Sequence, residues 1–316
     1  MERVLVTGGA GFIGSHLARE LVAKNYVVRI LDNFASGDPA NLEGLQRKTE
    51  FMEGDVRNAV ACRNACRNVD RVYHLAALVS APQSALDPVQ TDAVNNGGTL
   101  NLLLAARDYN VKRFVFGSSC AVYGEAALFP TPETALPAPT SPYGLQKLTG
   151  EHYCRIFTRL YGLETVSLRY SHIYGPRQNV NGADAAVIPK FFAQLLKGES
   201  PTVFGDGEQT RDFCFVKDAV AASLLAAETS NPKALGSVFN IGSGKQTTIN
   251  ELLKQIQNLT GAETAPQRSD ERPGDIRHSC ADIMRAKEIL GYAPKITLRA
   301  GLKETFAFYA RTLDAP

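Results

Sequence analysis

Arg3-Val4-Leu5-Val6-Thr7-Gly8-Gly9-Ala10-Gly11-Phe12-Ile13-Gly14 decides the fold of this chain. Val4, Leu5 and Val6 form an unbroken apolar run, the pattern of a strand covered on both faces. Glycines 8, 11 and 14 follow at GxxGxxG spacing, where the chain can turn tightly and bring backbone N–H groups close to a phosphate. Phe12–Ala23 reads as a helix. A helix that starts on such a turn offers partial positive charge to a pyrophosphate. Strand, turn and helix are followed, at the end of the next strand, by Asp32. A carboxylate there can accept hydrogen bonds from both hydroxyls of a ribose and repels a 2′-phosphate, so the expected cofactor is NAD, not NADP.

Outward from this segment, short apolar runs alternate with helical patterns. Strands are predicted at Val4–Thr7, Val27–Leu31, Phe51–Glu53, Asp70–His74, Arg113–Gly117 and Thr165–Tyr170. Helices are predicted at Phe12–Ala23, Val60–Cys66, Pro88–Tyr109 and Tyr143–Tyr161. Such alternation specifies an α/β protein with a doubly wound parallel Rossmann sheet. Sheets of this kind bind ligands at the carboxyl ends of the strands, where the winding reverses. After Tyr174-Gly175-Pro176 the units shorten: Pro201–Phe204, Asp212–Val216, Val238–Ile241 and Ile249–Leu259. They suggest a smaller α/β lobe, with residues 1–170 forming the dinucleotide-binding part, later segments interleaving with it, and 171–316 mainly the second lobe. Phe306–Leu313 reads as a closing surface helix.

Composition narrows the function. The 316 residues carry 34 basic and 32 acidic side chains, net +2, which gives no footprint for nucleic acid or an anionic membrane. No apolar run approaches the roughly 18–20 residues that a membrane helix needs. No signal-peptide pattern precedes the first strand, and a soluble, cytoplasmic protein is expected. The six cysteines are scattered, as reduced thiols are. Cys62 and Cys66 have helical spacing but no neighbouring His or second Cys pair, so they read as half-buried thiols and no metal site is expected.

The reactive groups lie further on. Tyr143-Gly144-Leu145-Gln146-Lys147 places a phenol and an ammonium one helical turn apart. A nearby ammonium stabilises a phenolate, and a Tyr so tuned can take a proton from a sugar hydroxyl. Ser118 and Ser119 stand at the C-terminal end of a buried strand, the edge where such sheets present reacting groups. Ser141-Pro142 is a start signal for the helix carrying Tyr143. Asp55-Val56 is placed to meet an adenine, and Asp55 could equally cap the next helix.

Taken in order, TGGAGFIG (7–14), HLAA (74–77), SSCAVYG (118–124), SPYGLQK (141–147), LRYSHIYGPRQ (168–178), GDGEQTRDF (205–213) and ERPGDIRHSCAD (271–282) resemble the extended short-chain dehydrogenase/reductases that epimerise nucleotide sugars. The resemblance covers essentially the whole chain. It implies catalysis by Ser119, Tyr143 and Lys147, with Ser119 on the C4 oxygen of the sugar, Tyr143 as base and Lys147 on the nicotinamide ribose. It implies NAD contacts from Gly8, Gly11, Phe12, Ile13, Gly14, Asp32, Asn33, Asp55, Val56, Leu75, Ala76, Ala77, Asn95, Ser118, Tyr143, Lys147 and Tyr170. For a UDP-sugar it implies Ser80, Ser119, Tyr143, His172, Val187, Val203, Phe204, Arg211, Arg272, Asp275 and Ser279. The two arginines would grip the diphosphate, as a paired guanidinium can. Val203 and Phe204 would flank the base, and Asp275 would hold nucleotide hydroxyls. A homodimer is implied as well, through the helices near 95–109 and 146–161.

The departures from the family pattern bear on the substrate. Ser171-His172 replaces a common Phe-Asn, Asn96 a common Val, Gly117 a frequent Ser and Cys120 a small residue. Ser279 stands where a bulky aromatic accompanies restriction to plain hexoses, so room for a 2-acetamido group is implied. Widening a pocket removes a steric barrier without creating affinity, and UDP-glucose remains a substrate to test. Dehydratases and decarboxylases of the family need an acid or base beside the serine or threonine; here Cys120-Ala121 follows Ser119. A uronic-acid C4-epimerase is the main alternative. A non-catalytic NAD- or RNA-binding relative would have lost Tyr143 or Lys147.

Overall fold

The computed structural model describes residues 1–180, 185–271 and 276–313. At its centre is β1, Arg3–Thr7, with Val4, Leu5 and Val6 fully buried. Val4 and Val6 point into the core on one face of the sheet, and Leu5 into the core on the other. The unbroken apolar run therefore serves two cores in alternation, as the pleat requires.

Around β1 stand β2 (Val27–Asp32), β3 (Thr49–Glu53), β4 (Arg71–His74), β5 (Arg113–Ser119) and β6 (Glu164–Tyr170). They run parallel in the order β3-β2-β1-β4-β5-β6. The winding reverses between β1 and β4, and a crevice opens above that reversal. The connecting helices are α1 (Phe12–Ala23), α2 (Ala59–Cys66), α3 (Ala81–Leu86), α4 (Pro88–Asp92), α5 (Gly98–Asp108) and α6 (Pro142–Tyr161). One long helix was predicted over 88–109. Instead, a π-helical turn at Ala93–Gly97 separates α4 from α5 and buries Asn95. Wide turns of this kind insert a residue and re-aim a side chain.

The second half contains β7 (His172–Tyr174), α7 (Val187–Leu196), β8 (Thr202–Phe204), β9 (Thr210–Arg211), β10 (Phe213–Phe215) and α8 (Val216–Glu228). Then come β11 (Ser237–Ile241), β12 (Thr247–Thr248), α9 (Ile249–Thr260), β13 (Gln267–Ser269), α10 (Met284–Leu290) and α11 (Leu298–Leu313). Three two-stranded ribbons, β7 with β10, β8 with β13 and β9 with β12, replace a second large sheet. α7, α9 and α11 pack into their own core around Phe191, Phe192, Leu252, Ile256, Leu302 and Tyr309.

Two expectations need correction. Residues 238–241 were assigned to the smaller lobe; β11 instead pairs with β6 as the seventh strand of the main sheet. α8 likewise joins the first core, where Ala219 and Ala222 share a cluster with Leu17 and Leu21 of α1. The closing helix begins at Leu298, not Phe306, and is no mere surface helix, because Leu302 and Tyr309 are buried and Phe306 stacks 6.0 Å from Phe192. Cys62 and Cys66 are fully buried, and burial pushes both thiols up to about 12. Among the described residues no helix is long and apolar enough to cross a membrane, and no group of His, Cys, Asp or Glu could hold a metal.

His74 ties the reversal point together. Its Nδ1 lies 2.8 Å from the Thr7 hydroxyl on β1 and its Nε2 2.9 Å from that of Thr99 on α5. Burial, reinforced by the Lys147 charge, lowers its pKa to about 3. The imidazole is therefore neutral when folded, whereas the unfolded chain takes up its proton below 6.5. Stability from this group is present above that pH and is lost as pH falls toward 3, at up to about 1.4 kcal/mol per pH unit. Urea unfolding between pH 6.5 and 4.5 should accordingly show a shallower pH slope for His74→Gln than for wild type, by about that amount per unit. Parallel slopes would refute a neutral buried His74.

Candidate active site

The glycine turn is built for a close approach. Gly8 has φ +69°, in the left-handed region, and a Cβ there would sit 2.8 Å from the Ala76 nitrogen. A Cβ at Gly14 would strike the Gly8 carbonyl. Both positions thus exclude any side chain, and the turn remains open at the N-terminus of α1. It forms one wall of a cleft of about 1470 Å³ that runs along the carboxyl ends of β1, β2, β4 and β5.

Asp32 stands at the end of β2 on the cleft's rim. One carboxylate oxygen accepts the Ala10 N–H and the other the Phe34 N–H, both at 2.8 Å. Each oxygen keeps a lone pair for a ribose hydroxyl. Asp55 carries the Asn33 amide at 2.8 Å and pairs with Arg57, whose hydrogen bonds hold the carboxyl down to about 2. Gly8, Gly11, Phe12, Ile13, Gly14, Asp32, Asn33, Asp55, Val56, Leu75, Ala76, Ala77, Ser80, Ser118, Ser119, Tyr143, Lys147 and Tyr170 all line this cleft. Its size, glycine turn and ribose-ready carboxylate fit a dinucleotide.

Asn95 does not line the cleft. Its amide bonds both the N–H and the C=O of Leu78 and donates to Gln146 at 2.8 Å. These bonds anchor the loop after β4 to α6, and they turn the anticipated cofactor ligand into a brace for its neighbours Ala76 and Ala77.

The reacting groups meet where α6 crosses the end of β5. Ser141 caps the helix through the Gly144 N–H at 3.1 Å, and Pro142 fills its first position. Tyr143 and Lys147 share the helix face turned toward the sheet, together with Gly150, Glu151 and Cys154. Lys147 Nζ donates to the Gly117 carbonyl at 2.7 Å and lies 6.0 Å from the centroid of the Tyr143 ring. Burial lowers Lys147 to about 8, while the Glu151 charge acts against that fall. Burial raises Tyr143 to about 12, and its hydrogen bond with the Ser119 hydroxyl works in the opposite direction. Lys147 Nζ thus reaches a carbonyl at the end of β5, and the hydrogen bond with Ser119 favours the phenolate of Tyr143.

On the far side of Tyr143 lies a second cluster. The Cys120 thiol hydrogen-bonds Ser279 and lies within electrostatic reach of Tyr143, Arg211 and Asp212. Arg211 is buried and bonds the Thr210 carbonyl at 2.9 Å. His172 adjoins Arg211, and burial lowers its pKa to about 3, leaving a neutral ring. Its Nδ1 is buried with no protein partner among the described residues. Of the anticipated base-flanking pair only Phe204 is partly exposed; Val203 is fully buried, as alternation along β8 demands. Val187 begins α7 and packs partly against the core of the second lobe. Arg272 and Asp275 lie outside the described residues.

The cleft also recruits groups that motif reading did not single out. Arg19 reaches in from α1 and Arg177 from the Gly175-Pro176-Arg177 turn, where Arg177 takes φ +67°. Burial and the Arg19 charge lower the pKa of Arg177. Its signal was the quoted stretch 168–178; Arg19 has none, because only packing turns that face of α1 into the cleft.

Comparison with known proteins agrees with this geometry. Residues 4–242 match the NAD dependent epimerase/dehydratase family. A UDP-glucose 4-epimerase of Mycolicibacterium smegmatis is 38% identical over 311 residues, covering 97% of this chain and 98% of that one. The Thermotoga maritima UDP-glucose 4-epimerase, solved with UDP-glucose, superposes with a TM-score of 0.94 at 41% identity over 99% of this chain and 100% of that one. The UDP-N-acetylglucosamine 4-epimerase of Methanobrevibacter ruminantium, solved with UDP-N-acetylmuramic acid, gives 0.94 at 39% identity over 98% and 99%. The fold and site define an NAD-using short-chain dehydrogenase/reductase. Within that class, the chain belongs to the NAD-dependent epimerase/dehydratase family.

Asp32 should set the choice of cofactor. Asp32→Asn is expected to weaken NADH binding by about ten-fold and to narrow the gap to NADPH, because one charge-assisted acceptor becomes neutral. Fluorescence titration with both nucleotides measures this; an unchanged NADH/NADPH ratio would exclude the carboxylate as the discriminator.

Proposed function

We propose that this protein inverts C4 of a UDP-linked hexose, with NAD held at the glycine turn and regenerated in each cycle. The observation that carries this reading is the convergence of Ser119, Tyr143 and Lys147 between the dinucleotide cleft and the cluster of Cys120, Ser279 and Arg211. Bound NAD supplies the acceptor for a hydride and, once reduced, its donor. The protein groups handle the proton and the orientation.

Tyr143 takes the proton of the C4 hydroxyl as the C4–H bond breaks, and Ser119 holds the C4 oxygen through its hydroxyl. A 4-keto sugar results. Arg211, oriented by the Thr210 carbonyl, grips the diphosphate while the sugar turns about its link to it. Tyr143 would then return the proton to the C4 oxygen, with the bound cofactor supplying the hydride on the opposite face, so that the epimer forms with no net oxidation. Since burial raises the phenol to about 12, a positive charge arriving with the cofactor is what brings it into a working range.

Elimination chemistry finds no support beside Ser119. Among the described residues, the carboxylate near Cys120 is that of Asp212, which accepts the Ser243 N–H, the Ser243 hydroxyl, the Gly244 N–H and the Ala281 N–H. It is saturated by donors, with no capacity left for proton transfer. The small Ser279 and Cys120 at the sugar end favour a substrate with a 2-acetamido group.

The outer face of α6 exposes Leu145 (55%), Leu160 (69%), Ile156 and Tyr161. Such a stripe on a helix otherwise well packed suits a homodimer. Six unpaired cysteines suit a cytoplasmic location.

Anomeric proton NMR of UDP-N-acetylglucosamine, UDP-glucose and UDP-glucuronate should show epimer forming without consumption of NAD, with the acetamido sugar preferred. Tyr143→Phe should reduce kcat by about 10²–10⁴-fold at nearly unchanged cofactor content. Conversion of UDP-glucuronate alone would replace the substrate assignment, and full activity of Tyr143→Phe would remove the base. Sedimentation velocity at micromolar concentration should give twice the mass of one chain; a monomer would dispose of the proposed pairing.

A further inference from the structure

Behind the reacting face of α6 lies a buried ionic assembly that the chemistry above does not use. Glu151 sits one turn beyond Lys147 and two beyond Tyr143, and is only 5% exposed. Its Oε1 accepts the Ser118 hydroxyl at 2.5 Å and Arg169 Nε at 2.8 Å, and its Oε2 accepts Arg169 Nη2 at 2.7 Å. Arg169, on β6, lies flat over the Tyr123 ring at 4.7 Å. Tyr123 in turn donates to Asn240 on β11 at 2.7 Å. One carboxylate thus joins α6 to the last residues of β5 and to β6, immediately beneath Ser119.

We infer that Glu151, clamped by Arg169 and Ser118, is a positioning residue that keeps Lys147 charged and in register with Ser119. Lys147 is buried, and the acceptor it reaches is a neutral carbonyl, that of Gly117. A buried ammonium with only a neutral acceptor tends to lose its proton. The groups around it on α6 are Tyr143 and Cys154, both raised to about 12 by burial and so uncharged. From β4 comes His74, lowered to about 3 and neutral; from β5 come the Phe116 ring and Ser118. β6 contributes Arg169, which is engaged by Glu151. Among the described residues, Glu151, one helical turn from Lys147 on the same buried face, is therefore the main group that opposes the loss of charge from Lys147. The geometry makes this a local device: Arg169 fixes the carboxylate, and Ser118 couples it to the strand end that carries Ser119.

This inference rests on the assignment of Tyr143 and Lys147 to the reaction, and its test has a readout independent of turnover. Proteins labelled at lysine Cε, with Lys147→Arg to identify the signal, are titrated by NMR as wild type, Glu151→Gln and Glu151→Asp. Wild-type Lys147 should titrate near 8. Glu151→Gln should move that midpoint down by about one unit or more, and Glu151→Asp should restore part of it. The alkaline limb of kcat/KM should shift with it, giving about a five-fold loss at pH 8 that recovers as pH is lowered to 6.5. Leaving Arg169 unpaired can prevent folding. Glu151→Gln/Arg169→Met, which removes both charges, should then still show a downward shift, smaller than that of Glu151→Gln because the opposing Arg169 charge is lost with it. An unmoved Lys147 signal in either variant, or a loss of activity that is equal at every pH, would overturn the inference. Inactivity of wild type on every UDP-sugar would instead count against the proposed reaction and leave the lysine titration to stand alone.

Discussion

Helix α6 lies closer to the end of β5 than a side chain at 144 or 150 would permit. A Cβ at Gly150 would enter the Phe116 ring, and one at Gly144 would come within 2.6 Å of the Ala121 carbonyl. That approach lets Lys147 reach the Gly117 carbonyl, Tyr143 the Ser119 hydroxyl and Glu151 the Ser118 hydroxyl. Three side chains at successive i+4 positions thus touch three successive residues of one strand. The reacting geometry is therefore set by two absent methyl groups as much as by the groups that react.

The electrostatics follow from the same closeness. Burying a phenol and an ammonium side by side disfavours the charged form of each, so Tyr143 rises and Lys147 falls. The two shifts drive the pair apart, so that Tyr143 rests as a neutral phenol and Lys147 as an ammonium. A ligand that carries positive charge into this dry space acts on the phenol strongly, since nothing there screens it. The protein prepares a low-dielectric site, and the cofactor completes the balance of charge.

Much of this was legible in the sequence wherever a single backbone requirement dictates a residue. The turn at 8–14, the carboxylate at 32, the Ser-Pro start at 141–142 and the Tyr143/Lys147 spacing each follow from local geometry. What was not legible depends on chain segments distant in sequence. The π turn at 93–97 has no composition of its own; it exists because Asn95 must reach both Leu78 and Gln146. Val203 and Phe204 look equivalent in sequence, and only the second lobe's core decides that Val203 faces inward. The reach of Lys147 toward Gly117, not toward the phenol, could not be read from spacing, which fixes a shared face but no partner.

The late arrival of β11 has consequences for how the chain is made. The cofactor wall formed by α1 is covered by α8, and the sheet edge at β6 is closed by β11. A ribosome that has released only the first 170 residues has produced every glycine and carboxylate of the dinucleotide site, yet neither of these covers. In that interval β6 offers an unpaired edge and α1 a bare apolar flank, the two features that invite association between nascent chains. The dinucleotide-binding half is therefore no autonomous module that could be excised at residue 170 and joined to another protein. Its completion waits for some seventy further residues, so the order of synthesis leaves the first half of the chain to be covered by segments from the second.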